Sequence, residues 1–180
     1  GAGAADVFLI KTNSSGDIVW SKTYGGVLDD FGYSVQQTTD NGYIVTGWTQ
    51  NFGIGGTDLY LIKTDSNGDT LWTRTFRGTS GDYGRSVKQT NDGGYIVAGY
   101  TNSFGAGSND MYLLKTNSNG DSLWTRAFGG TGAEYAYSVV QTADLGYAVV
   151  GSTNSFGRSG TSDNIYMVKT DASGSMVFAK

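Results

Sequence analysis

The chain repeats itself with a period of 52 residues along almost its whole length. The clearest marker of the repeat is a seven-residue apolar segment, found at 6–12 (DVFLIKT), 58–64 (DLYLIKT), 110–116 (DMYLLKT) and 164–170 (NIYMVKT). A fixed period of this size is typical of stacked supersecondary units, each of which buries its apolar surface against its neighbours. We therefore expect a row of equivalent modules.

Each repeat contains four short segments with the character of β-strands. Residues 70–76 (TLWTRTF) alternate with a period of two, which indicates a strand. The other strand-like segments of this repeat unit are 58–64, 83–90 and 95–101. Turns such as Asn-Asp-Gly-Gly at 91–94 separate the segments and favour hairpins. Because no segment has a helical apolar period, the sequence predicts an all-β protein. Four antiparallel strands in one unit of this length are typical of a β-propeller blade.

The repeat also resembles a known family. The pattern D-x-Y-L-I-K-T-D-x-N-G-D-x-x-W, followed by Y-S-V-x-Q-T-x-D-G-G-Y-I-V-A-G-Y-T, is similar to repeats of large bacterial secreted and surface proteins. These proteins are grouped with quinoprotein-like and kelch-like β-propellers, and the match covers 6–180. The resemblance implies propeller blades and a secreted or cell-surface location. It also implies that 83–101 form the inner hairpin of a blade and 110–128 its outer hairpin.

With the inner and outer hairpins assigned in this way, the chain is one continuous repeat domain of three and a half blades. The predicted parts are a linker or expression-vector remnant at 1–5, the outer hairpin of an incomplete blade at 6–24, and blades at 25–76, 77–128 and 129–180. Propeller rings typically contain four to eight blades, so this number does not close a ring. Open blades expose strand edges and apolar faces. We therefore expect either a homo-oligomer that completes a ring or a fragment of a longer repeat protein.

The composition excludes several function classes. The chain has no His and no Cys, which rules out a Ser-His-Asp triad, a thiol nucleophile and a thiolate metal site. Its 12 basic residues form no run and are outnumbered by 16 acidic ones, which argues against nucleic-acid binding. No apolar stretch is long enough for membrane insertion. No polar constellation occurs only once, so we predict that the protein is not an enzyme and requires no cofactor.

Carboxylates recur at the longer loops, which in a propeller share one face. They precede the third strand of each repeat at Asp30, Asp82 and Glu134, and the first strand at Asp6, Asp58, Asp110 and Asp163. Such groups could bind a cation or sugar hydroxyls, or they could close their own loops through backbone hydrogen bonds. The candidate binding residues are Asp30, Asp82, Glu134, Asp58, Asp110 and Asp163.

A second acidic feature is the turn at 65–69 (DSNGD), which resembles a calcium-binding loop in its alternating oxygen groups. It lacks the glycine at the sixth place and the distal glutamate of such a loop. Asx residues with glycine are also what a tight hairpin turn requires, and that interpretation is favoured. Ca²⁺ therefore remains the one candidate cofactor.

Aromatic residues recur at fixed positions of the repeat. Trp20, Trp72, Trp124 and Phe178 share one position, where they either form a glycan-stacking ladder or pack between blades, which is favoured. The position of Trp48, Tyr100 and Ser152 varies more and could be exposed. We expect Phe52, Phe104 and Phe156 to anchor the variable loops 49–57, 101–109 and 153–162, where binding specificity is normally located. Gln37, Gln89 and Gln141 are predicted to be buried amides.

Together these features favour a non-catalytic module for protein or ligand binding, or for scaffolding, that self-associates to complete a ring. One alternative is a lectin-like or calcium-dependent glycan-binding propeller. Another is a fragment of a quinoprotein-like enzyme. Because a fold does not determine function, the ligand itself stays open at this point.

Overall fold

A computed structural model describes residues 4–53, 56–157 and 163–180, and all regular elements in these ranges are β-strands. The strands are β1 (Val7–Thr12), β2 (Ile18–Tyr24), β3 (Asp30–Gln37), β4 (Tyr43–Thr49), β5 (Asp58–Thr64), β6 (Thr70–Phe76), β7 (Asp82–Gln89), β8 (Tyr95–Thr101), β9 (Asp110–Thr116), β10 (Ser122–Phe128), β11 (Glu134–Gln141), β12 (Tyr147–Thr153), β13 (Asn164–Thr170) and β14 (Met176–Ala179).

The strands form three four-stranded antiparallel sheets and one two-stranded sheet, each in sequence order. We name them the half-blade (β1–β2), blade 1 (β3–β6), blade 2 (β7–β10) and blade 3 (β11–β14). This arrangement confirms the predicted all-β fold with three and a half blade-type repeats. Of the predicted linker, 1–3 lie outside the described residues. Ala5 already contacts blade 1, because its carbonyl accepts a 2.8 Å hydrogen bond from the Asp30 amide.

The core lies between the blades rather than within one sheet. In β9, Met111 and Leu113 point toward blade 3, whereas Tyr112 and Leu114 point toward blade 1. The half-blade packs on blade 1 in the same way through Val7. Each central strand is therefore apolar on both faces because each face meets a neighbouring blade, which explains the continuous apolar segments of the sequence.

Side-chain hydrogen bonds join the inner strands across each junction. The amide of Val87 donates to Ser34 Oγ, and that of Val139 donates to Ser86 Oγ, both at 3.3 Å. Gln89 also crosses a junction, because its Oε1 accepts a 2.9 Å bond from the Thr39 amide. The three glutamines are not buried as predicted: Gln37 is exposed, and Gln89 and Gln141 are half-buried. The side chains of Gln89 and Gln141 link neighbouring turns instead, whereas Gln37 Nε2 donates to the Asn41 carbonyl of its own turn.

The outer hairpin turns are organised by their first Asx residue. Asp65 Oδ1 accepts the amides of Asn67 and Asp69 at 2.8 and 2.9 Å, and these bonds lower the pKa of Asp65. Gly68 completes the turn at a φ of +80°, a conformation that favours glycine. The carboxylate oxygen is thus occupied by backbone amides, which accounts for the alternating polar residues without a calcium ion.

The tryptophans pack between blades, as the favoured prediction stated. Trp72 on β6 contacts Tyr95 of the next blade edge-to-face, with 5.9 Å between ring centroids, and Trp124 contacts Tyr147 at 5.6 Å. Arg74 lies 5.5 Å from the Trp72 ring centroid, which is a cation–π arrangement. These indoles are therefore structural and do not form an open stacking ladder.

Candidate functional site

The top face is defined here as the end of the blades that carries Asp30, Asp82 and Glu134. Each of these carboxylates begins an inner strand and accepts the backbone amide of a glycine four residues earlier. The donor glycines are Gly26, Gly78 and Gly130, at 2.8, 2.7 and 2.8 Å respectively. This repeated bond closes the loop before each blade, so one oxygen of each carboxylate has a structural role.

The second set of carboxylates begins the third strand of each blade. Asp58 and Asp110 are almost completely buried. Among the described residues, Asp58 Oδ2 and Asp110 Oδ1 find no hydrogen-bond partner. Burial and the nearby Asp82 raise the pKa of Asp58, while Arg77 acts in the opposite direction. Buried oxygens without partners are unusual in proteins, and the loop-closing Asp30 has one as well, at Oδ1.

The blade junctions bring the two sets together in pairs. Asp110 Oδ1 and Glu134 Oε2 lie 2.2 and 2.3 Å from the position that a Cβ would take on Gly129. Asp6 Oδ1 and Asp30 Oδ2 surround Gly25 in the same way, at 2.1 and 2.5 Å. Each pair belongs to two adjacent blades, a proximity that the spacing along the chain does not reveal.

Asp163 is not part of such a pair. The position equivalent to Asp58 and Asp110 is taken by Asn164, which pairs with Thr153 as Asp110 pairs with Thr101. Asp163 precedes the strand and is exposed. The sequence prediction included Asp163 in this set as the carboxylate before the strand, although the repeat alignment matches Asn164 with Asp58 and Asp110. Within the described ranges, no group of three or more His, Cys, Asp or Glu side chains could hold a metal ion together.

A row of aromatic rings crosses the inner part of the top face. Its members are Phe31, Trp48, Tyr83, Tyr100 and Tyr135, with centroid separations of 4.6, 6.2, 4.4 and 4.9 Å in that order. Arg85 extends the row, because its guanidinium lies 4.0 Å from the Tyr33 ring centroid and 5.5 Å from that of Tyr100. Sequence reasoning identified only the Trp48 and Tyr100 position. The missed signal is the aromatic residue that directly follows each loop-closing carboxylate.

The loop phenylalanines form a third repeated feature. Phe52, Phe104 and Phe156 each contact a buried tyrosine, at centroid separations of 5.6, 6.0 and 5.3 Å. Each ring remains about half exposed. They therefore anchor their loops on one side and present an apolar edge to solvent on the other. The loop residues 54–55 and 158–162 lie outside the described residues.

The comparisons with known proteins bear on the fold alone. No protein-family model and no curated protein matches the chain. A solved structure of a protein of unknown function from Bacteroides caccae superposes with a TM-score of 0.59 at 14% identity. The superposition covers 98% of this chain and 58% of the Bacteroides protein, so the chain spans little more than half of that protein's length. No helix in the described parts of the chain is long and apolar enough to span a membrane. The repeated blade fold thus has a structural relative, and the resemblance to a propeller family remains a prediction.

Proposed function

We propose that this chain is a non-catalytic interaction module that self-associates through the open faces at the two ends of its blade row. One observation carries the proposal. Repeat positions that are buried at the junctions between blades are exposed at the two ends of the row. Support for a non-catalytic role comes from the sequence, which contains neither His nor Cys and repeats its polar groups instead of concentrating them at one place. A secreted or surface location is part of the same proposal and derives from the repeat resemblance.

The terminal face is the side of blade 3 that points away from blade 2, and consists of Val150, Ile165, Met167 and Phe178. The first three side chains are 43%, 80% and 38% exposed. The equivalent residues of blade 2, Ala98, Met111 and Leu113, are all 0% exposed because blade 3 covers them. Burying one such aliphatic side chain contributes about 1.5–3 kcal/mol, so covering this face is strongly favourable.

The leading face lies at the other end of the row, on the half-blade. Phe8 and Ile10 are 59% and 44% exposed, whereas their equivalents in blade 1, Tyr60 and Ile62, are 3% and 1% exposed. Beside them, a cleft of about 170 Å³ opens between β1 and β3, where a complete blade would have its inner hairpin. The leading face therefore presents the residue types that an internal junction places against the preceding blade.

A second copy of the chain is the occupant that these faces fit best. The terminal face has the residues that an internal junction would cover with the next blade. At the junction of blades 2 and 3, blade 3 contributes Tyr166 and Val168. The leading face of another copy would contribute Phe8 and Ile10 at the equivalent positions. Such a contact joins two different surfaces. It produces a ring if the rotation between copies closes and a filament if it does not.

The proposal is tested by substituting the terminal face. The double variant Ile165→Asp and Met167→Asp places two charges on a surface that is exposed in the single chain, so the blade itself is expected to stay folded. We expect light scattering after size exclusion to show association for the unmodified chain and a single-chain mass for the variant. The matched control is Leu71→Asp, because Leu71 is similarly exposed but lies on the outer strand β6, away from both faces. Equal masses for the unmodified chain and the double variant would contradict the proposal.

Carbohydrate binding is a second candidate, supported by the aromatic row on the top face. Tyr33 and Phe31 are well exposed there, and Trp48 Nε1 donates a 3.2 Å hydrogen bond to the Tyr33 hydroxyl. Flat rings with polar edges are suited to stacking against sugars. A glycan array with the unmodified chain and a Tyr33→Ala variant tests this candidate. Binding that disappears in the variant supports it, and absence of binding on the whole array argues against it.

A further inference from the structure

The junction between blades 2 and 3 holds two buried carboxylates that face each other beside a glycine. Asp110 and Glu134 are 1% and 0% exposed. One oxygen of each lies within 2.3 Å of the Cβ position of Gly129. Since both oxygens lie so close to one point, they are no more than about 4.5 Å apart, and any side chain at position 129 would displace them. At this separation two carboxylate oxygens can share one small ion.

Glu134 is held as an anion. Its Oε2 accepts the Gly130 amide at 2.8 Å, and its Oε1 accepts the Thr153 hydroxyl at 2.6 Å and the Ser155 amide at 3.2 Å. Burial raises the pKa of Glu134, but the hydrogen bonds from Ser155, Thr153 and Gly130 outweigh burial and lower it overall. Glu134 therefore keeps its negative charge while it faces a second carboxylate.

Asp110 has one oxygen that no group in the described part of the chain satisfies. Its Oδ2 accepts the Gly107 amide at 3.1 Å, while Oδ1, the oxygen beside Gly129, has no hydrogen-bond partner within the described ranges. Among the described residues, no lysine or arginine forms an ion pair with Asp110 or Glu134. Two buried like charges without a compensating cation are unfavourable, as is a buried oxygen without a partner.

The neighbouring junction carries a cationic side chain at the same place. Between blades 1 and 2, the position equivalent to Gly129 is Arg77. The charge of Asp82 acts to raise the pKa of Asp58 there, and the positive charge of Arg77 opposes that rise. The junction that lacks the glycine therefore has a cation acting on its carboxylate pair, whereas the junction at Gly129 has glycine at that position.

We propose that Asp110 Oδ1 and Glu134 Oε2 together bind a hard divalent cation, Ca²⁺ being the best fit. Carboxylate oxygens are ordinary Ca²⁺ ligands at about 2.3–2.6 Å, and waters complete such shells. With only two carboxylates, the dissociation constant is expected on the order of 10⁻⁴ to 10⁻³ M, the range of extracellular Ca²⁺ modules. The Asp6 and Asp30 pair around Gly25 has the same geometry and offers a second place for the ion. Cation binding does not require self-association, because both carboxylates of a pair belong to one chain.

The test uses the full chain, with CaCl2 compared to NaCl at equal ionic strength in calorimetric titration and thermal unfolding. We expect about 10 mM CaCl2 to raise the Tm of the unmodified chain by a few degrees. Asp110→Asn preserves the shape of the side chain and is expected to lose one bound ion and the larger part of the shift. Asp163→Asn removes an exposed carboxylate outside the pairs and is expected to change neither quantity.

If the Asp110 variant folds poorly, two further variants still test the proposal. They exchange the residues at the equivalent positions 77 and 129 of the two junctions. Gly129→Arg introduces the residue that the sister junction already carries, and it is expected to remove one ion because its Cβ would displace both carboxylate oxygens. Arg77→Gly is expected to add one ion. Absence of any Ca²⁺-dependent heat or Tm shift in the unmodified chain overturns the proposal. An unchanged ion count in both exchange variants overturns it as well.

Discussion

At the residue scale, the repeats place a buried lysine against a turn carboxylate in each blade. Lys115 is 3% exposed and donates to Asp92 Oδ2 at 2.9 Å and to the Thr116 carbonyl at 2.8 Å. Lys63 and Lys169 make the equivalent bonds to Asp40 and Asp144. A buried ammonium group requires a partner, so the Asp in the inner hairpin turn is a structural counter-ion. The recurrence of Asp at this turn is therefore explained without a ligand.

Removing that counter-ion is expected to destabilise blade 2. Asp92→Asn leaves the Lys115 charge buried with only the backbone carbonyl as a strong partner. Because the Asp92 side chain is 59% exposed and water can partly replace it, we expect a loss of about 1–2 kcal/mol, less than for a fully buried pair. Urea unfolding of the two proteins measures the difference. Asp144→Asn is the control and should cost less, because Lys169 is more exposed than Lys115. Equal stabilities of Asp92→Asn and the unmodified chain would contradict this role.

The same pair predicts a pH dependence. Burial acts to raise the pKa of Asp92, but hydrogen bonds from Thr90 and Lys115 lower it to about 2, below its ordinary value of about 4. A depressed folded-state pKa contributes stability above the unfolded value, and that contribution is lost as the pH falls from about 4 through about 2. We expect the unfolding free energy to fall more steeply over this window in the unmodified chain than in Asp92→Asn. Parallel curves would contradict the assignment.

At the element scale, each outer hairpin turn after the first lies on a tryptophan of the preceding blade. Gly120 has a φ of +79°, and a Cβ there would lie 2.7 Å from Cζ3 of Trp72. Gly16 occupies the same turn position in the half-blade at +87°, and a Cβ there would meet nothing within 4 Å. The two glycines thus share a backbone conformation but differ in whether a blade lies beneath them.

This difference predicts unequal costs for one substitution. Gly16→Ala is expected to cost about 1–2 kcal/mol from the left-handed backbone alone. Gly120→Ala adds a clash with the Trp72 ring, for which overpacking costs of about 1–3 kcal/mol are typical. Chemical denaturation of both variants measures the difference, and equal losses would show that the turn does not rest on the indole.

Strands, turns and inter-blade tryptophans could be predicted from the sequence because local patterns determine them. The alternation in 70–76 and the Asx-Gly turns require no knowledge of distant contacts. The carboxylate pair at Gly129 and the aromatic row could not be predicted, because stacking of separate blades creates both. Asp163, a candidate binding residue, lies one residue before the strand, because the repeat alignment and the register with Thr153 both place Asn164 at the position of Asp58 and Asp110.

At the scale of the whole molecule, the row of blades has an uncovered apolar face at each of its two ends. The terminal face leaves Ile165 80% exposed at a position that is completely buried in blade 2. The leading face is the complementary end of the same stacking pattern, and the near-equivalence of the repeats gives a second copy the same surface chemistry as an internal neighbour. A net charge of -4 opposes association at low salt, so apolar burial has to outweigh this repulsion.

Self-association is tested most directly by the solution mass of the unmodified chain, measured by light scattering across a range of protein concentrations at physiological salt. We expect a mass of two or more chains that falls to that of one chain on dilution or when the terminal face is substituted. A single-chain mass at every concentration, with a cooperative unfolding transition, would contradict it, because the open faces would then be stable in water without a partner.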